Sequence, residues 1–137
     1  MSQRFLQRLD KLPLWIPTIL LSMVISWLTL APDPTPHLDV PMFPGADKLC
    51  HALMFGALAF TADFDWKHAR PWQRLGLIRI SLVALIVSLF GVATELLQRI
   101  LDMGRSFEAG DIIADIFGTI AISAVWILIE PMLDIHN

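Results

Sequence analysis

The ionisable residues of this chain fall in clumps, and the densest clump has residue types that can do chemistry. Asp47, Lys48 and His51 open one apolar run, with positions 47 and 51 one helical turn apart on a shared face. Glu95 and Gln98 close another run at i, i+3, with Arg99 next in sequence. Gly104, Arg105, Ser106, Phe107 and Glu108 follow, and Asp111, Asp115 and Gly118 begin the last run at i, i+4 and i+7 on one face. Three chemistries fit this set. Lys48, His51 and Arg105 can meet an anionic lipid or cell-wall precursor headgroup while Glu95, Asp111 and Asp115 orient those cations. Glu95 or Asp115 can act as general base with His51 as acid, in phosphoryl or acyl transfer on a lipid-linked substrate. Asp47, His51, Glu95, Asp111 and Asp115 can ligate Mg²⁺, Mn²⁺ or Ca²⁺. No nucleophile motif accompanies the set, so the reading leans away from an enzyme, and no cofactor is expected. A proton path finds nothing ionisable in the middle of an apolar run.

Plainer roles compete. Asp111 and Asp47 can cap the helices they open. His51 can bond a backbone carbonyl in a core. Arg99 can snorkel to an interface. Asp65, Glu130 and Asp134 read as solvated ends, and Glu95, Arg105 and Asp115 can form a purely structural network. Within that trio Arg105 is the expected hub, because its planar fork can serve two carboxylates.

The elements that must position these residues are apolar helices. The chain has 137 residues, 55% hydrophobic and only 17% charged, with a mean hydropathy of +0.62. About 25% charged is usual in a soluble domain. A helix needs about 20 residues to cross the hydrocarbon core, and four runs fit: about 14–30, 47–64, 75–97 and 111–129. The expected fold is therefore an all-α membrane protein, one domain over 1–137, with four transmembrane helices. The first run follows Arg4, Arg8 and Lys11 as a signal peptide would, but it is too long, and Pro32 after Ala31 spoils the cleavage point, so it is read as retained. The single Cys50 forms no internal disulfide and reads as a small packing residue. No basic, aromatic-interleaved patch suggests nucleic acid.

Orientation follows from Lys and Arg. With the N-terminus inside, Arg4, Arg8, Lys11, Lys67, Arg70, Arg74 and Arg79 lie inside, and Lys48, Arg99 and Arg105 outside, which favours both termini inside. The polar clump then sits at the outer face. Trp15, Trp66, Trp72 and Trp126 read as an inner aromatic belt. Five prolines make the first outer loop extended, and the basic segment from Asp65 to Arg74 reads as an inner loop on the headgroups.

These residues form a recognisable pattern. Asp47-Lys48-Leu49-Cys50-His51 resembles the D-K-x-x-H opening of VanZ-like proteins. Glu95-Leu96-Leu97-Gln98, then Arg105-Ser106-Phe107, then Asp111 to Gly118, resemble that family's E-x-x-Q, R-x-F and D-x-x-x-N-x-x-G elements. Asp115 stands where the family usually has Asn, and Phe55 where an aromatic hydroxyl is common. The resemblance implies a bacterial multi-pass protein of the cytoplasmic (inner) membrane, with membrane lipids as partners. It also implies a role in envelope maintenance or in resistance to teicoplanin-type glycopeptides.

Overall fold

The computed structural model describes residues 15–32, 43–69, 75–102, 104 and 107–133, with the backbone only at Leu133. They form four helices: α1 (Ile16–Leu30), α2 (Ala46–Ala69), α3 (Gly76–Leu101) and α4 (Ala109–Leu133). α1 carries Pro17 in its first turn, where the missing N–H matters least. It stops at Ala31, which is extended (φ −66°, ψ 136°) as the ring of Pro32 demands. Gly45 makes the turn into α2 at φ +88°. α3 ends on Asp102 in the left-handed conformation, its N–H donating to the Gln98 carbonyl.

Three boundaries differ from the sequence expectation. α2 runs on to Ala69, so Asp65 to Ala69 belong to a helix and not to an inner loop. α3 continues four residues past Leu97, to Leu101. α4 runs four residues past Ile129, to Leu133. In all three places polar residues ended the apolar run while the helix continued.

α2 and α4 run side by side in the same direction. His51 faces Asp115, Phe60 packs on Trp126 with ring centroids 5.3 Å apart, and Lys67 lies 3.8 Å from Glu130. Close approach between them needs Gly118, where a Cβ would strike the backbone of Ala52. α1 and α3 run antiparallel to that pair. At one end Thr18 of α1 meets Asp65, and at the other Gln98 of α3 donates to the Thr29 carbonyl at 2.6 Å. The apolar core holds Ile25, Phe55, Leu58, Ala59, Val83 and Val87.

The bundle is inverted relative to a water-soluble fold. Ile78, Leu128, Met23 and Leu53 face outward, while Asp63, Glu95 and Asp115 are wholly buried. Gly76–Leu101 and Ala109–Met132 are long and apolar enough to cross a membrane. Only 22% and 28% of their apolar windows is buried inside the bundle. An apolar exterior around polar interior groups is the arrangement that a lipid solvent favours.

Candidate functional site

The polar clump is a real assembly of side chains at one end of the bundle. Antiparallel α3 brings Glu95 to the level at which parallel α2 and α4 start, and the Glu108 segment closes over it. His51 is 2% exposed, its ring lying parallel to that of Phe55 at 6.4 Å. Its Nδ1 lies 3.0 Å from Asp115 Oδ1, and its Nε2 lies 3.9 Å from Asp111 Oδ2. A proton on Nδ1 makes the ring a donor to Asp115 and leaves Nε2 as an acceptor or ligand. Lys48 Nζ donates to Glu108 Oε2 at 2.8 Å and stands 3.5 Å from Asp111 Oδ1. The ammonium holds the Glu108 carboxyl below its usual range. Glu95 Oε2 accepts the Glu108 N–H at 3.4 Å, within electrostatic reach of His51, Asp111 and Asp115.

Charge in this cluster is unbalanced. Among the described residues Asp47, Glu95, Glu108, Asp111 and Asp115 face Lys48 and His51. Glu95 Oε1 and Asp115 Oδ2 are buried without a hydrogen-bond partner, and Asp111 Oδ1 has only the ionic contact with Lys48. Asp47, His51 and Asp111 each offer one ligand atom, all within 4.8 Å of one another. They are the residues that could hold a divalent cation, with Asp115 behind His51 in the position of the carboxylate that orients a ligating imidazole.

Several expected roles change. Asp47 and Asp111 lie in the first turns of α2 and α4 rather than at their caps, because the helices begin at Ala46 and Ala109. Gln98 is buried, but its amide N–H goes to Thr29, so it stitches α3 to α1. Arg99 is exposed, 5.8 Å over the Phe107 ring, in keeping with an interfacial role. Cys50 is exposed on the outward face of α2 and packs no core. Gly118 lets α4 approach the Ala52 backbone of α2 closely. Arg105, the expected hub, lies outside the described residues, as do Ser106, Trp72 and Asp134.

A second polar group lies at the opposite end, and there the expectation of solvated ends is wrong. Asp65 is 5% exposed and accepts from the Thr18 N–H at 3.2 Å and from its hydroxyl at 2.5 Å. Glu130, also 5% exposed, accepts the Leu75 N–H, which would otherwise be an orphan donor at the start of α3. Asp63 was not singled out by the sequence, yet it is fully buried beside Glu130 with both oxygens unpartnered. Trp126 belongs to this core at 1% exposure and not to an interfacial belt. The signal that could have found these residues is the polar repeat Asp111, Asp115, Thr119, Ser123 along one face of α4.

Comparison with protein-family models, curated proteins and solved structures produced no match to this chain.

Proposed function

We propose that this chain is a four-span protein of the bacterial cytoplasmic membrane, VanZ-like in its polar pattern, with both termini inside. In this reading its outer cluster binds the headgroup of a lipid or lipid-linked cell-envelope precursor and serves envelope maintenance. The observation that carries it is the carboxylate excess around His51, with Glu95 Oε1 and Asp115 Oδ2 buried and unpartnered. A purely anionic headgroup would meet repulsion there. A zwitterionic one fits better: its ammonium takes the carboxylates, and its phosphate takes Lys48 at the rim and, by its place in the sequence, Arg105. This refines the simple anion-binding expectation.

The experiment is native mass spectrometry of the purified protein with its retained lipid, followed by exchange into bilayers of phosphatidylethanolamine or phosphatidylglycerol. The wild type should retain the amine-bearing lipid, and the pair Glu95→Gln with Asp111→Asn should lose about tenfold in that preference, the loss of roughly one charge-assisted hydrogen bond. Equal retention of both lipids by both proteins would overturn the reading. The topology is tested in a Cys50→Ala background, where Glu108→Cys should react with an impermeant reagent from outside and His68→Cys from inside.

The convergence of Asp47, His51 and Asp111 within 4.8 Å favours a second reading, a divalent cation that bridges the cluster to a phosphate. Titration with Mn²⁺ followed by its electron-spin resonance decides it. Binding that His51→Ala abolishes supports the metal, and no bound Mn²⁺ at millimolar concentration excludes it.

A further inference from the structure

The two polar ends are joined by a line of buried polar atoms. Asp111, Asp115, Thr119, Ser123, Trp126 and Glu130 occupy one face of α4, and all are between 0% and 6% exposed. Five of them carry a buried atom with no hydrogen-bond partner: Asp111 Oδ1, Asp115 Oδ2, Thr119 Oγ1, Ser123 Oγ and Trp126 Nε1. Both oxygens of Asp63 on the facing helix add to the line at the Glu130 end. At 1.5 Å per residue, positions 111 to 130 cover about 28 Å, close to the full hydrocarbon thickness of about 30 Å.

Hydroxyls in the interior of a helix usually bond back to a carbonyl one turn earlier, as Thr29 and Thr94 do here. Thr119 and Ser123 do not, although both are buried. Successive members of the line from Asp111 to Ser123 are four residues apart, a rise of about 6 Å. One water bonded to each neighbour at about 2.8 Å spans about 5.6 Å. The spacing therefore suits a single water between each pair, and buried polar groups of this kind are ordinarily satisfied by such waters.

We infer that the polar face of α4, where it meets both α2 and α3, holds a file of water that conducts protons between the outer cluster and the inner Asp63–Glu130 pair. This rests on the four-span reading, which sets the two ends on opposite sides of the membrane. Asp63 is the group that exchanges protons with the inner side. Glu130 of α4 stands beside it, with Lys67 3.8 Å from Glu130, while Asp65 faces Thr18 of α1 and Arg79 of α3 lies over the Trp66 ring. Each hop passes one proton along a hydrogen bond and reorients one water or hydroxyl, so no bond to carbon breaks. Net movement is driven by the membrane potential or the pH gradient and is balanced by a counter-ion. The middle of the path needs no ionisable group, because a hydroxyl both accepts and donates.

The test uses the whole protein in liposomes loaded with a pH-sensitive dye, with a potassium gradient and valinomycin to set the potential. Wild-type vesicles should acidify faster than protein-free ones. Asp63→Asn should abolish the difference. Thr119→Val, nearly the same shape without the hydroxyl, should slow it about tenfold, as expected when a file water loses a partner, and Thr119→Ser should restore it. Acidification equal to that of empty vesicles overturns the inference, as does a flux unchanged in both Asp63→Asn and Thr119→Val. Opposite-side labelling of Glu108→Cys and His68→Cys in the same vesicles separates the two failures. Absent flux with opposite labelling sinks the file alone, whereas same-side labelling sinks the spanning topology and the file with it.

Discussion

Substituting Gly118 by alanine should pry α2 from α4 and break the His51 site without touching any polar residue. An added Cβ would stand 2.6 and 2.7 Å from the carbonyl carbon and Cα of Ala52, and closer still to its oxygen. These are backbone atoms of a neighbouring helix, so no rotamer change relieves the contact. Clearing the carbonyl carbon to ordinary contact at about 3.4 Å already parts the helices by about 0.8 Å, and the nearer carbonyl oxygen requires more than about 1 Å. A rigid separation of that size carries the His51–Asp115 contact from 3.0 Å to about 4 Å or more, beyond hydrogen-bonding range. Overpacking costs about 1–3 kcal/mol, and the lost hydrogen bond to a charged group about 1.5–3 kcal/mol. Alanine returns about 1 kcal/mol of helix propensity. The net expectation is a destabilisation of about 1.5–5 kcal/mol, read by titrating sodium dodecyl sulfate into mixed micelles and following helicity and tryptophan fluorescence. Gly56→Ala is the control on the same interface. Its Cβ meets the Ile122 side chain at 3.0 Å and the Gly118 carbonyl oxygen at 3.1 Å, so a few tenths of an ångström suffice. Its cost should stay below about 1 kcal/mol. A Gly118→Ala protein as stable as the wild type, or a Gly56→Ala protein that suffers more, would refute the packing argument.

Two other outcomes follow from contacts at the bundle ends. Glu130→Ala leaves the buried Leu75 N–H without an acceptor and should cost about 1–3 kcal/mol in the same titration. Glu130→Gln keeps an acceptor oxygen and should lose less, and equal losses would show that the charge, not the acceptor, matters. The Lys48–Glu108 pair is exposed, and Glu108 titrates below its unfolded value near 4.3. Its small contribution is present above that pH and fades as the pH falls through the lower folded value. Melting temperature should therefore dip slightly in acid for the wild type and lack that component in Lys48→Met, whereas identical acid profiles would mean that the pair contributes nothing.

What the sequence made legible was the set of helices, because long apolar runs leave lipid-facing side chains few alternatives. The grouping of His51, Glu95, Asp111 and Asp115 was legible too, since helix ends separated by one span must share a depth. The rest was hidden by the same logic. A hydropathy reading treats a polar residue as an end, so Asp65 and Glu130 passed for solvated termini and Asp63 drew no attention. Each sits within a helix whose outward face is apolar, and its buried neighbour comes from another helix. Pairing of that kind depends on helix rotation. One sequence does not set it locally, though the four-residue polar repeat of α4 pointed to it. Trp126 was misplaced for a related reason: tryptophans near a helix end usually sit at headgroups, and this one fills the space beside Phe60.

The parallel pairing of α2 with α4 has a bearing on biogenesis. α2 carries Asp47, Lys48, His51, Asp63, Asp65 and Lys67, and by hydropathy it is the long helix least suited to lipid. Asp115 and Glu130, which meet His51, Asp63 and Lys67, reside on α4, the last segment of the described chain to leave the ribosome. Before α4 is made, α1 offers it Thr18 and α3 sets Arg79 over its Trp66 ring. In the four-span reading proposed above, the polar pairing of α2 is therefore completed by a helix synthesised two segments later.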